Sequence, residues 1–268
     1  MLTARNWVSR NGVLLFALLV LLYMFLPIFV FVLMSFNDPA SKLSYQFDGF
    51  TLHNWTNLCE DPQLCSSVGL SLRIALLATG FATLLGTLMA FAMVRHHFRG
   101  RSAANLLIFL PMASPEIVLG SSLLALFVNA GLGGSLGFWT VFVAHVMFCL
   151  SFVVITVKAR LAGLDPRLEQ AANDLYANEW QTFWRVTFPL VIPGIVSAAL
   201  LSFSLSFDDF IITNLNSGQA VTFPMYVWGS SQREIPMQIN VVGTIMFLLA
   251  LGLVLGGDAV RRIRGKPA

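Results

Sequence analysis

Apolar and polar positions alternate along this chain in long blocks. Six runs of roughly twenty apolar residues fall at about 13–34, 68–94, 105–128, 138–157, 190–212 and 241–257. About twenty apolar residues in a helix cross the hydrocarbon core of a bilayer. The pattern therefore predicts an all-α polytopic membrane protein with six transmembrane helices, in a single transmembrane domain over 1–268. Two runs are impure. The third holds Pro111, Pro115 and Glu116, and the fifth is interrupted by Asp208-Asp209. The first run, Val13–Met34, is too long for a signal-peptide core and no A-x-A-like cleavage site follows, so it reads as a retained span that Pro27 can kink.

Composition agrees. Hydrophobic residues make up 57% and charged residues 11%, where a soluble domain carries about a quarter charged residues. The small net charge of +3 is no nucleic-acid signal; its placement carries the information. Arg5, Arg10, Arg95, Arg99, Arg101, Lys158, Arg160, Arg167, Arg185, Arg261, Arg262, Arg264 and Lys266 fall on one side of a six-span arrangement. Lys42 and Arg233 fall in the opposite loops, and Arg73 near the outer start of span two. Basic residues collect in cytoplasmic loops, which predicts both termini in the cytoplasm.

One polar stretch on that basic side is unlike the others. Leu164–Pro193 reads as two short helices joined by a turn. Asp165-Pro166 opens the first, and Asn178 with Gln181 has capping-box spacing for the second. Leu168, Ala171, Ala172 and Leu175 give one apolar face; Trp180, Phe183, Trp184 and Phe188 give the other. Such a hairpin either lies on the lipid surface or docks a soluble partner. Its direct run through Pro189 and Pro193 into span five favours docking.

The candidate chemistry is acidic. A charge inside a span costs roughly 2.5–3.5 kcal/mol on insertion scales, so it faces a cavity, a partner or a pathway. Glu116, Asp208 and Asp209 therefore mark a cation path, against the plainer reading that the aspartates end a helix at the headgroup level. Adjacent helical residues point about 100° apart, so Asp208 is preferred on the path with Glu116, and Asp209 in a structural hydrogen bond. Ser206 joins the path candidates. Trp55, Trp139 and Trp228 read as interfacial anchors, with cation–π contact the alternative. His145 and Cys149 read as packing residues, His145 hydrogen-bonded, and His96-His97 as part of an interfacial basic cluster. Gly252 and Gly256 have the spacing of a close helix-packing pair. Cys59 and Cys65 share one polar loop, either bridged or as two thiols. No metal-ligand spacing and no G-x-x-x-x-G-K-[ST] occurs, so this chain is expected to have no metal site or P-loop and to carry no cofactor.

Gln170-Ala171-Ala172, Tyr176, Val186, Phe188 and Pro189 match the spacing of the EAA motif of ABC importer permeases. SPEIVLG at Ser114–Gly120, LGFWTVFVAHVMFC at Leu136–Cys149 and LSFSLSFDDFI at Leu201–Ile211 resemble spermidine/putrescine permeases of the PotC type, in order and spacing over nearly the whole chain. The resemblance implies a MetI-like architecture in a bacterial inner membrane, with the loop 164–189 coupling to an ATPase through Glu169, Gln170, Ala171, Ala172, Asp174, Tyr176 and Pro189. It implies an ABC ATPase homodimer that binds ATP and Mg, a second homologous permease subunit, and an extracytoplasmic polyamine-binding protein. Trp55 fits the outer-loop pattern of this type and leads the tryptophans as a path candidate. The alternatives are an EAA-type permease for another small solute and, more remotely, a membrane scaffold or an intramembrane protease. Two residues depart from the motif: Gln170 stands for its Glu and Tyr176 for its Gly. Because Tyr is strained where Gly takes positive φ, the turn is expected to be rebuilt one or two residues later, near Asn178.

Overall fold

The computed structural model describes residues 2–39, 46–233 and 235–264. Lys42 and Lys266, which help to orient the chain by charge, lie outside the described residues. The described chain is helical apart from loops and one isolated bridge, Asn37 to Phe50. Its helices are α1 (Leu2–Met34), α2 (His53–Thr56), α3 (Pro62–Arg95), α4 (Arg101–Ala113), α5 (Glu116–Asn129), α6 (Phe138–Ala162), α7 (Arg167–Asp174), α8 (Glu179–Thr182), α9 (Phe188–Asp208), α10 (Ile211–Asn216), α11 (Phe223–Ser231) and α12 (Gln238–Arg264). A π-helical turn, Phe183–Thr187, joins α8 to α9.

Among the described residues, four stretches are long and apolar enough to span a membrane: Asn11–Met34, Pro62–Arg95, Phe138–Ala162 and Glu179–Asp208. The third predicted run is not one helix. α4 and α5 meet at 110°. The cause is local: a residue before proline is pushed out of the helical region, and Ser114 is extended at φ −84, ψ 140 ahead of Pro115. With that bent pair counted as one span the total is five. The sixth run forms α12, whose apolar part, Gln238–Leu253, is shorter than the others. The fifth run also breaks. α9 stops at Asp208, Asp209 is extended at φ −64, ψ 125, and α10 resumes at Ile211.

The chain divides into two compact units, Met1–Cys65 with Val227–Ala268, and Ser66–Tyr226. In the first, α1 packs on α12, with Phe25 edge-on to Phe247 at 6.4 Å between ring centroids. The loop after α1 is pinned by buried Asn54, which donates to the carbonyls of Ser35 and Asn37. Cys59 and Cys65 form a disulfide. A Cβ on Gly252 or Gly256 would meet nothing within 4 Å, so the two are not a packing pair among the described residues.

The second unit is built on α6 against α9. Val141, Ala144, Cys149, Val153 and Val157 of α6 are fully buried, as are Val191 and Ala198 of α9. Glycine permits the closest approaches: a Cβ on Gly86 would lie 2.6 Å from Val153, and one on Gly194 the same distance from the Arg160 stem. Small residues at such crossings let apolar helices gain dispersion contact where no hydrophobic driving force separates protein from lipid.

Candidate functional site

Both helix breaks of the second unit carry carboxylates. Asp208 ends α9 and is exposed; Glu116 begins α5 and is exposed. Asp209 and, less strongly, Asp208 both act electrostatically on Glu116. The packing that does this is specific. α5 lies on α10, and a Cβ on Gly120 would sit 3.2 Å from the Ile212 Cα and 2.9 Å from Leu215 Cδ1. Gly120 is one turn beyond Glu116, so the two share a helix face. Asn216 clamps the contact by donating to the Gly120 carbonyl at 3.1 Å. Thr140 of α6 in turn donates to the Asn216 carbonyl at 2.7 Å.

Asp209 faces the other way. It is 8% exposed. Its Oδ2 accepts from Thr213 Oγ1 and from the Thr213 backbone N–H, both at 2.8 Å, and its Oδ1 from the Ile212 N–H at 3.4 Å. His145, 2% exposed on α6, has Nε2 2.8 Å from Thr213 Oγ1 and 3.3 Å from Asp209 Oδ2, with Nδ1 2.7 Å from Ser206 Oγ. Burying a carboxylate demands this density of donors. Ser206, a path candidate by sequence, is buried and meets His145 in this network. Trp55 belongs to the first unit, stacked on Phe36 at 5.3 Å between centroids. Sequence reasoning did not find the Thr213 and Asn216 contributions. A polar residue in an apolar run was the signal, but its partners are up to 96 residues away in the chain.

The hairpin is a second candidate site. Asp165 opens it by accepting from the Arg167 N–H at 2.9 Å. α7 ends in a Schellman motif: Ala177 N–H donates to the Ala172 carbonyl and Tyr176 N–H to the Asn173 carbonyl. The expected rebuilding of the turn does not occur. Tyr176 itself takes the left-handed conformation, at φ +62. Asn178 is extended, at φ −76, ψ 167, and makes both bonds of the capping box with Gln181. Tyr176 can occupy the glycine position because its side chain is 97% exposed and meets nothing there; the backbone cost is about 1–2 kcal/mol.

Glu169 is engaged within the chain. It makes a bidentate ion pair with Arg95 at the end of α3, Nη1 to Oε2 being 2.6 Å, and accepts from Thr187 Oγ1 at 2.6 Å. Phe183 packs edge-on to Phe91 of α3 at 5.3 Å. The hairpin is thus fastened to α3 at two points. Glu169 makes one of these attachments, with its side chain 24% exposed. Gln170, Ala171 and Asp174 are exposed, Ala172 half-buried, and Pro189 sits exposed in the first turn of α9. Trp180, Trp184 and Phe188 form an aromatic cluster beside them, with Trp180 70% exposed.

With apolar helices broken at acidic joints and a polar, aromatic hairpin running into one span, the chain is a membrane transport component by its family. The chain belongs to the family of binding-protein-dependent transport system inner membrane components, whose model matches residues 82–263. It is a multi-pass membrane protein. It is 37% identical over 248 residues to the spermidine/putrescine transport system permease protein PotC of Haemophilus influenzae, across 92% of this chain and 95% of that protein. It is 37% identical over 238 residues to the putrescine transport system permease protein PotI of Escherichia coli, across 87% and 84%. The fold is similar to a chain in the crystal structure of a bacterial ABC transporter that imports the acidic polysaccharide alginate. That match has a TM-score of 0.70 at 18% identity, over 98% of this chain and 100% of that one.

Proposed function

We propose that this chain is the permease subunit of an ATP-driven importer of polyamines such as spermidine and putrescine, and that it forms half of the translocation path. The observation that carries the proposal is the pair of exposed carboxylates, Glu116 and Asp208, at breaks in two apolar helices. Discontinuous helices put free backbone groups at membrane depth, and the C-terminal end of a half-helix favours a cation. α9 ends at Asp208, so its last carbonyls add to that carboxylate. Two carboxylates suit a solute that carries two ammonium groups, and an anionic solute is repelled. The relatives named above point to the same substrates.

The hairpin is the docking element for an ABC ATPase homodimer, which binds ATP and Mg. Exposed Gln170, Ala171, Asp174 and Tyr176 face that partner, with Ala172 beneath them. Anchorage through Glu169 carries its movement to α3, and continuity through Pro189 carries it to α9. A second homologous permease supplies the other half of the path, and an extracytoplasmic binding protein delivers the substrate. Both termini and the hairpin then lie in the cytoplasm, which the distribution of basic residues supports. The test is uptake of labelled spermidine by the reconstituted four-component complex, with putrescine, amino acids and sulfate as competitors. Competition by putrescine alone is expected; competition by sulfate or amino acids instead would remove polyamines as the substrate.

A further inference from the structure

A cavity of about 300 Å³ opens between α3, α4 and α6, lined by residues that transport does not use. Met93, Ile108 and Val154 are buried and form an apolar floor, whereas Phe109 is 55% exposed and marks the open side. Two lining residues are polar, Asn105 of α4 and Lys158 of α6. Lys158 is half-buried and donates to Asn105 Oδ1 at 2.6 Å. Among the described residues it has no ion pair. An ammonium group has three donors, and a neutral amide leaves its charge unbalanced. Arg101 stands one turn before Asn105 on the same face of α4. Its guanidinium meets His97 Nδ1 at 3.1 Å and also makes no ion pair among the described residues.

The depth of Lys158 follows from helix geometry. α6 starts at Phe138, and the distance from there to Lys158 is about 30 Å at 1.5 Å per residue, about the thickness of the hydrocarbon core. The ammonium group therefore lies where acyl chains give way to headgroups, a level at which lysine stems extend toward the polar layer. We propose that this cavity binds an anionic phospholipid of the inner leaflet, with the headgroup phosphate on Lys158 and Arg101 and an acyl chain running over Phe109. Basic pockets between spans on the cytoplasmic side take such headgroups. The cations repel an ammonium solute, so the cavity is separate from the acidic path. The leaflet rests on the cytoplasmic placement of the basic loops; the site itself does not depend on which solute is carried.

The test is photolabelling of the assembled complex in phosphatidylcholine vesicles. The vesicles carry a small mole fraction of either phosphatidylglycerol or phosphatidylcholine with a photoreactive acyl chain, and the labelled residues are mapped by mass spectrometry. Phosphatidylglycerol should label the segment around Phe109 roughly fivefold more than phosphatidylcholine does, the change that one basic residue near an anionic surface gives. Lys158→Met keeps the stem and removes the charge, and Asn105→Asp supplies a carboxylate from within the chain. Each should bring the two lipids to equal labelling, and Lys158→Arg should keep the preference. If neither charge-removing variant assembles, the ratio in the parent decides. Equal labelling by both lipids in the parent overturns the proposal, as does a preference that survives both substitutions. Labelling elsewhere on the complex with none at the cavity from either lipid also overturns it, because a protein partner then covers the groove.

Discussion

The acidic joint and the hairpin each hinge on a carboxylate bonded to a cation-capable side chain and to a threonine. Asp209 has His145 and Thr213; Glu169 has Arg95 and Thr187. The two sets differ in their surroundings. His145 and Asp209 side chains are 2% and 3% exposed, while those of Arg95 and Glu169 are 39% and 24% exposed. In the dry site every lone pair must find a donor inside the protein, so the network specifies one geometry. At the hairpin, water can replace any partner that moves away. The first arrangement suits a fixed binding geometry. The second suits an element that must shift while staying attached.

Mutations should separate the two regions sharply. The largest loss is expected at Asp209→Ala. It strips His145, Thr213 and a backbone N–H of a common acceptor in a buried site, and an unpaired buried polar group costs about 1–3 kcal/mol each. Thermal denaturation of the detergent-purified complex should fall by several degrees or the subunit should fail to assemble; an unshifted midpoint would put Asp209 in solvent. Next is Ala172→Asp, which places a charge where the hairpin is half-buried. ATPase co-purification and uptake should both drop at least tenfold, and survival of both removes the docking role. Glu169→Gln comes third. A partly exposed ion pair is worth about 0–1 kcal/mol, so assembly and melting should hardly change while transport per ATP hydrolysed declines, because the hairpin loses an anchor on α3. Equal coupling ratios in variant and parent would show the anchor to be dispensable. The smallest change is Tyr176→Gly. Relief of the left-handed strain, about 1–2 kcal/mol, is partly offset by the greater freedom of glycine in the unfolded chain. Proteolysis of the hairpin should slow slightly or stay level, and faster cleavage would mean that Tyr176 makes a stabilising contact.

Local features are legible in the sequence, and long-range ones are not. The Asn178–Gln181 capping box needs only a three-residue spacing, and it forms as that spacing predicts. The apolar runs give the spans because burial of a twenty-residue stretch is a property of that stretch. Pro115 is visible and pushes Ser114 out of the helix, but the partner that α5 then meets, α10 at Gly120, lies far away in the chain. Asp208-Asp209 reads as an interruption within a helix, whereas the chain uses the pair to end one helix and start another. Ser206 falls with the carboxylates because it is close to them in sequence, yet its hydroxyl pairs with the buried His145 Nδ1 on another helix. The Tyr176 turn misleads for the opposite reason. Steric preference argues against Tyr there, but a Schellman closure and an open surface outweigh about 1–2 kcal/mol of strain.

The claim that the exposed carboxylates carry the substrate is tested most directly by spermidine uptake in the Asp208→Asn complex. The substitution keeps the shape and removes one charge-assisted contact worth about 1.5–3 kcal/mol. At about 1.4 kcal/mol per factor of ten, the half-saturating spermidine concentration should rise roughly 10- to 100-fold in an intact, ATP-hydrolysing complex. A half-saturating concentration equal to that of the parent would contradict the account.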